Sequence, residues 1–230
     1  MARKPIVAID GPAGSGKSTT ARAVARELGF VHLDSGAVYR AVTLCALEAL
    51  GKPAEAWRGP AAVEAARAGS LVVGITDGAL DVRLGTHPAE PAIRSDAVTA
   101  EVSRVAAMPE VREYVNGLLR ASARAGGVVM DGRDIGTVVF PDADVKVFMV
   151  ADPEERARRR LLEKGRPVAA ETVRREAGAL TARDERDSTR DVAPLAQAPD
   201  AVMLDTTRIG FDEQVARVVA LVRQATLAQP

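Results

Sequence analysis

The sequence predicts an α/β fold: a five-stranded parallel sheet flanked by helices, with a small insertion and a helical lid. Three observations predict it. Short apolar runs alternate with helical segments from the first residues onward, the pattern of parallel strands covered by helices. A Gly-rich turn, "GPAGSGKS" (11–18), joins the first run to the first helix. Two stretches break the alternation, an insertion over about 60–106 and a lid over about 155–192. They leave a single-domain core of about 1–59, 107–154 and 193–230.

"PIVAID" (5–10) is a short apolar run bounded by Gly and reads as a buried strand. "GKSTTARAVARELG" (16–29) follows as a helix with Gly29 as its stop. "FVHLD" (30–34) is a second strand and "AVYRAVTLCALEALG" (37–51) a second helix. The rhythm then breaks. "WRGPAAVEAARAGS" (57–70) is a small Ala-rich helix, and "LVVGITDGALDVRLG" (71–85) is two strands around the hairpin turn Asp77-Gly78. This stretch is expected to carry β structure of its own.

"PEVREYVNGLLRASARAGG" (109–127) restores a helix, with Val111, Val115, Leu118 and Leu119 on one face. "VVMD" (128–131) and "VKVFMV" (145–150) are two more strands. "PEERARRRLLEKGRP" (153–167) is a basic helix, with Glu154 and Arg158 spaced to pair along one face. Residues 170–192 are so charged that they read as a mobile flap rather than core. "AVMLD" (201–205) is the fifth strand and "FDEQVARVVALVRQA" (211–225) a closing amphipathic helix.

Composition narrows the function. The chain is 47% hydrophobic but only 3% aromatic, so its core must be built from Ala, Val, Leu and Ile. Lys+Arg and Asp+Glu are equal at 31 each, so no net field draws the chain to nucleic acid or a membrane. The lone Cys45 excludes an internal disulfide. With His32 and His87, both expected to be structural, it is too little for a structural zinc site. No run of about 18 apolar residues occurs and the N-terminus lacks a leader pattern. A cytoplasmic monomer is expected, with no nucleic-acid or membrane partner.

The Gly-rich turn is Gly, four residues, Gly, Lys, Ser, between a strand and a helix, which is the phosphate-binding loop of the P-loop NTPase fold. Gly11, Gly14 and Gly16 let successive N–H groups turn toward an anion, and the helix adds the positive end of its dipole. Gly11 to Thr19 (Pro12, Ala13, Ser15, Lys17 and Ser18 between the glycines) are therefore assigned to ATP. Lys17 reaches the β- and γ-phosphates and Ser18 a Mg²⁺ ion. A GTPase switch is disfavoured: the only Asn is Asn116, followed by Gly, and no Asp has Gly three residues later. An ATPase motor would want a catalytic Glu after the second motif strand, but "VVM" ends in Asp-Gly-Arg-Asp. A small kinase remains, with a nucleotide-gated interaction protein as the non-enzymatic alternative.

Arginines set the acceptor class. They cluster in "LDSGAVYR" (33–40), "SRVAAMPEVR" (103–112), "DGRD" (131–134), "ERARRR" (155–160) and "ARDERDSTR" (182–190). A phosphate acceptor has a second pKa of about 6 and is already ionised at neutral pH, so no general base is needed. What is needed is cation density to hold two repelling anions in line, and a lid against water.

"GPAGSGKST", "LDSGAVYR", "DGRDIGTVVFPDAD", "ERARRR" and "RDERDSTRDVAPL" together resemble the bacterial cytidylate kinase family, over about residues 5 to 222. The match is weakest across residues 60–100. The resemblance implies an acceptor-binding insertion and a lid, and transfer from ATP to CMP or dCMP with Mg²⁺. A UMP/CMP or other nucleoside monophosphate kinase of the same fold is the alternative. Carried over residue by residue, Ser35, Tyr39, Arg40, Arg133 and Arg190 hold the acceptor nucleotide and its phosphate. Ser103, Arg112 and Asp134 read the cytosine, and Arg183 and Asp187 reach the sugar. Among the lid arginines, Arg156 and Arg158 are assigned to ATP. Arg159 is assigned, with Lys17, Arg133 and Arg190, to the transferred phosphoryl group, and Arg160 is a further phosphate candidate. Asp131 is assigned to Mg²⁺ or its waters, with a turn-capping Asp as the competing reading.

An Asp at the exocyclic amine and an Arg at the neighbouring acceptors would favour cytosine. Uracil would face the carboxylate with a carbonyl.

Overall fold

A computed structural model of the chain describes residues 4–52 and 54–227. In chain order it begins with β1 (Ile6–Asp10), α1 (Lys17–Leu28), β2 (Val31–Asp34), α2 (Ser35–Leu50) and α3 (Gly59–Ala68). There follow β3 (Leu71–Thr76), β4 (Ala79–Leu84), the two-residue β5 (His87–Pro88), α4 (Asp96–Val105) and α5 (Pro109–Ser122). The chain continues through β6 (Val128–Gly132), β7 (Val145–Val150), α6 (Pro153–Glu163), α7 (Ala170–Ser188), β8 (Val202–Asp205) and α8 (Phe211–Leu227).

All five expected core strands form, and they pair in parallel in the order β2-β6-β1-β7-β8. Side-chain alternation explains the two covered faces. Ala8, Val128 and Met130 point into a core shared with α2, α3 and α5, while Val7, Ile9 and Val129 point into one shared with α1 and α8. Both cores are chiefly Ala, Val, Leu and Ile, as the low aromatic content requires.

Two expectations are corrected. The hairpin β3–β4 does not make a separate sheet. Its Asp77 and Gly78 both have positive φ, the turn that suits a two-residue hairpin, and the first residue after it joins the core sheet through His32 opposite Ala79. The charged segment 170–192 is also not devoid of core. Val173, Ala177 and Leu180, at helical spacing on α7, bury against Ala157 and Leu161 of α6 and Ala13 of the phosphate loop. The expected Glu154–Arg158 pair is absent among the described residues. The i,i+4 pair that forms on α6 is Glu155–Arg159, at 2.9 Å.

Candidate active site

The loop after β1 sits at the carboxyl end of the central strand, where open α/β sheets take ligands. Gly11 has φ 145°, and a Cβ there would stand 2.0 Å from the carbonyl oxygen of Met149, so only Gly fits. Lys17 is buried and donates from Nζ to the Pro12 carbonyl (2.5 Å) and to Ser15 Oγ (3.3 Å). Burial, followed by the Arg133 charge, lowers its pKa to about 7. A phosphate anion would reverse that shift. ATP binding at pH 8 is therefore expected to draw in about one proton, read as a buffer-dependent heat in calorimetry. Zero uptake would mean that Lys17 is already charged in the free protein.

The segment after β6 carries the cluster of charges. Asp131 accepts from Ser18 Oγ (2.5 Å) and lies 2.8 Å from His32 Nε2. Burial pushes its pKa up, but the His32 and Ser18 hydrogen bonds and the Lys17 charge together hold it below the usual value. These side-chain partners, rather than a turn N–H, answer the turn-capping reading. Asp10, at the end of β1, accepts from the N–H groups of Ile135 (2.8 Å) and Gly136 (2.7 Å). These open a single π turn over Ile135–Val139, and the clamp fixes where Arg133 and Asp134 point.

A cleft open to solvent lies above this segment. Of the expected acceptor residues, Ser35, Tyr39, Arg40, Ser103, Arg112, Arg133, Asp134, Arg183, Asp187 and Arg190 all line it, with Lys17 and Ser18. At one end Arg112 is hydrogen-bonded to Asp134, donates to the Ala106 carbonyl (3.0 Å) and lies over the Tyr39 ring, 5.5 Å from its centroid. Arg190 Nη2 approaches the other oxygen of Asp134 at 3.4 Å. Burial outweighs these cations and raises the Asp134 pKa. Toward Lys17, Arg133 donates to Asp187 (3.1 Å), and Arg183 Nε, 4.0 Å from Asp187, is buried without a hydrogen-bond partner. Burial, then the Arg133 charge, lowers Arg183 to about 10, and burial also lowers Arg40 and Arg190. Cations held this close, one with an orphan N–H, are a receptor for an anion.

A second cavity lies on the other side of the loop. It is lined by Gly16 and Thr19, by Arg159 and Glu163 of the lid, and by Ile209, Phe211 and Gln214 near the start of α8. Gly14, Lys17, Ser18 and Arg160 line both cavities. The two spaces therefore meet at Lys17.

The lid arginines depart from expectation. Arg158 is exposed and lines neither cavity, because the inner face of α6 is set by Ala157 and Leu161 and turns Arg158 away. Arg156 lines neither as well. Its Nη1 donates to the Ala13 carbonyl (3.0 Å) and pairs with Asp184 of α7, whose other oxygen accepts from Ala13 N (3.1 Å). Arg156 therefore ties the lid to the loop. Arg159 is fixed to the Thr206 carbonyl (2.6 Å) in the wall of the second cavity, so Arg160 rather than Arg159 stands at the junction. Gly11, Pro12 and Ser15 line neither cavity and shape the loop.

Several lining residues escaped the sequence. Asp34 caps α2 and pairs with Arg94 at 2.8 Å on the rim of the first cavity. Asp34 lay in a quoted motif, but Arg94 lies in the insertion, where no motif marked it. Ile209, Phe211 and Gln214 looked like ordinary positions around an amphipathic helix.

The cytidylate kinase family model matches residues 7–224. The chain belongs to the cytidylate kinase family. A cytidylate kinase of Exiguobacterium sp. is 47% identical over 221 residues, covering 95% of this chain and 96% of that relative. A cytidylate kinase of Streptococcus pneumoniae is 46% identical over 224 residues, covering 93% and 95%. A solved structure of an uncharacterized protein from Eubacterium ventriosum has TM-score 0.52 at 10% identity, covering 96% of this chain and 99% of that one. That likeness speaks to the α/β fold alone.

Proposed function

We propose that this protein transfers the γ-phosphoryl group of ATP to CMP or dCMP, giving ADP and CDP or dCDP. The observation that carries it is the meeting of two cavities at Lys17 and Arg160, one with the phosphate loop, the other with an Arg–Asp pair at its far end. The acceptor phosphate oxygen, ionised at neutral pH, attacks the γ-phosphorus, and the bond to the β-phosphate oxygen breaks. No side chain takes a proton. Lys17, Arg133, Arg160 and Arg190 hold the charge that spreads over the transferred group.

Cytosine rests against Ser103, Arg112 and Asp134. The carboxylate accepts from the exocyclic amine and the guanidinium donates to the ring acceptors. The sugar lies toward Arg183 and Asp187, and the acceptor phosphate toward Ser35, Arg40, Arg133 and Arg190. Ser35 Oγ now donates to the Asp131 carbonyl (2.7 Å) and Arg40 to Thr99 (2.9 Å), so both would exchange partners when the phosphate arrives.

The half-buried Ser18 hydroxyl and the buried Asp131 carboxylate are hard oxygen donors that suit Mg²⁺. Mg²⁺ commonly keeps several waters and binds through one or two protein oxygens with substrate phosphates, so two donors suffice. When bound, Mg²⁺ would supply neutralising charge to the β- and γ-phosphates.

The insertion closes over the acceptor and the lid over the donor. The lid's small core, with its Asp184–Arg156 tie to the loop, gives it a docked position. Protease nicking within 155–190 is expected to slow when ATP and CMP are both present. Equal cleavage with and without ligands would exclude a closing lid.

No helix among the described residues is long and apolar enough to cross a membrane. A cytoplasmic monomer is the reading carried forward, and the buried, free Cys45 suits that compartment. Turnover on the common nucleoside monophosphates tests the proposal. CMP and dCMP are expected to give equimolar ADP and diphosphate well above UMP, AMP and GMP. Nucleotide binding without ADP formation would favour an interaction protein.

A further inference from the structure

His32, expected to be structural, has a partner that a core histidine does not need. In the register of β2 and β6, His32 lies opposite Val129 and Asp34 opposite Asp131. His32 and Asp131 are therefore a diagonal pair on one face of the sheet, within reach of long side chains. Their side chains meet: Nε2 stands 2.8 Å from Asp131 Oδ1, and both residues are at most 4% exposed. The other oxygen, Oδ2, receives the Ser18 hydroxyl at 2.5 Å. Each carboxylate oxygen has its own partner, so the group is fixed in rotation. An ionised carboxylate only accepts, so Nε2 carries the proton that is shared.

The choice of partner is informative. Asp134 and Asp187, the other buried carboxylates facing the cavity, are paired with guanidinium groups. Asp131 has His32 as its one ion-pair partner among the described residues. A guanidinium would compete with a metal for the carboxylate. An imidazole N–H fixes one oxygen and leaves the charge open to a cation.

We propose that His32 is a positioning residue for the metal corner of the site: it holds Oδ1 of Asp131 so that Oδ2, beside the Ser18 hydroxyl, faces Mg²⁺ or a water on it. The inference rests on the reading of Asp131 given above. Outer partners that orient a ligating group commonly account for 10–100-fold in metal affinity.

The test compares two amides. His32→Gln places a nitrogen near the position of Nε2, whereas His32→Asn places one near Nδ1, too short to reach Asp131. ATP is titrated calorimetrically into the full chain without acceptor, in Mg²⁺ and in EDTA, and the affinity ratio is taken within each variant. His32→Gln is expected to keep the Mg²⁺-dependent gain in ATP affinity. His32→Asn is expected to lose about tenfold of it, with affinity in EDTA unchanged. If Gln and Asn behave alike, His32 does not position Asp131 and the proposal fails. Asp131→Asn separates the two levels: if it keeps the full gain, the metal reading itself falls, whatever the His32 variants do.

Discussion

Lys17→Met is expected to lower kcat about a thousand-fold, some 4 kcal/mol of transition-state stabilisation, while the protein stays folded. Lys17 stands with Arg160 where both cavities meet, and it is buried with its ammonium hydrogen-bonded only to neutral oxygens. Burial and the Arg133 charge outweigh the nearby carboxylates and make a cation there unfavourable to the fold, as the depression of its pKa to about 7 records. Removing it should therefore leave the melting temperature unchanged or raise it. Loss of activity with a raised or equal melting temperature identifies a functional lysine. Near-normal turnover would remove Lys17 from the chemistry, and a lower melting temperature would show that it supports the fold instead.

Asp134→Asn should have the second largest effect, and on selectivity rather than on turnover alone. The carboxylate only accepts, so it can pair with the amine of cytosine but not with the carbonyl of uracil. A site built around such a hydrogen bond rejects the mismatched ligand by about 10⁴-fold, because the mismatch leaves buried groups unpaired. The amide of Asn can donate or accept and loses that discrimination. The ratio of kcat/KM for CMP over UMP is expected to fall by about a hundred-fold or more. Absolute kcat/KM for CMP should fall too, since Asp134 also anchors Arg112 and Arg190. An unchanged CMP-to-UMP ratio would take Asp134 out of base recognition.

The strands were legible because each is a short, almost uninterrupted apolar run, the mark of burial on both faces. Their pairing was not, because nothing local says that β1 lies between β6 and β7. The same limit hid His32. Its relation to Asp131 is a matter of register between strands almost a hundred residues apart, and a lone histidine in an apolar strand looks like core. The hairpin read well from Asp77-Gly78, but its attachment to the main sheet depends on a single bridge at His32. Helix α4 leaves little signal in the sequence, because its buried apolar positions, Val98, Val102 and Val105, are few and β-branched.

For the first cavity, the arginine motifs contain residues that the fold brings together, since the carboxyl ends of parallel strands converge. The lid was harder. In "ERARRR" the composition is nearly uniform, and only helical phase separates Arg160 at the junction from Arg158 in solvent. Ala157 and Leu161, one turn apart and buried, would have given that phase.

The central claim is that guanidinium groups hold two phosphate chains end to end above the phosphate loop, with no proton acceptor at the point of transfer. A crystal structure with CMP and a non-hydrolysable ATP analogue tests it most directly. The expected complex has the CMP phosphate within hydrogen-bond distance of Arg133 and Arg190, the γ-phosphate on Lys17 and Arg160, and the attacking oxygen in line between them. A CMP phosphate bound away from these groups, or a carboxylate or imidazole bonded to the attacking oxygen, would contradict it.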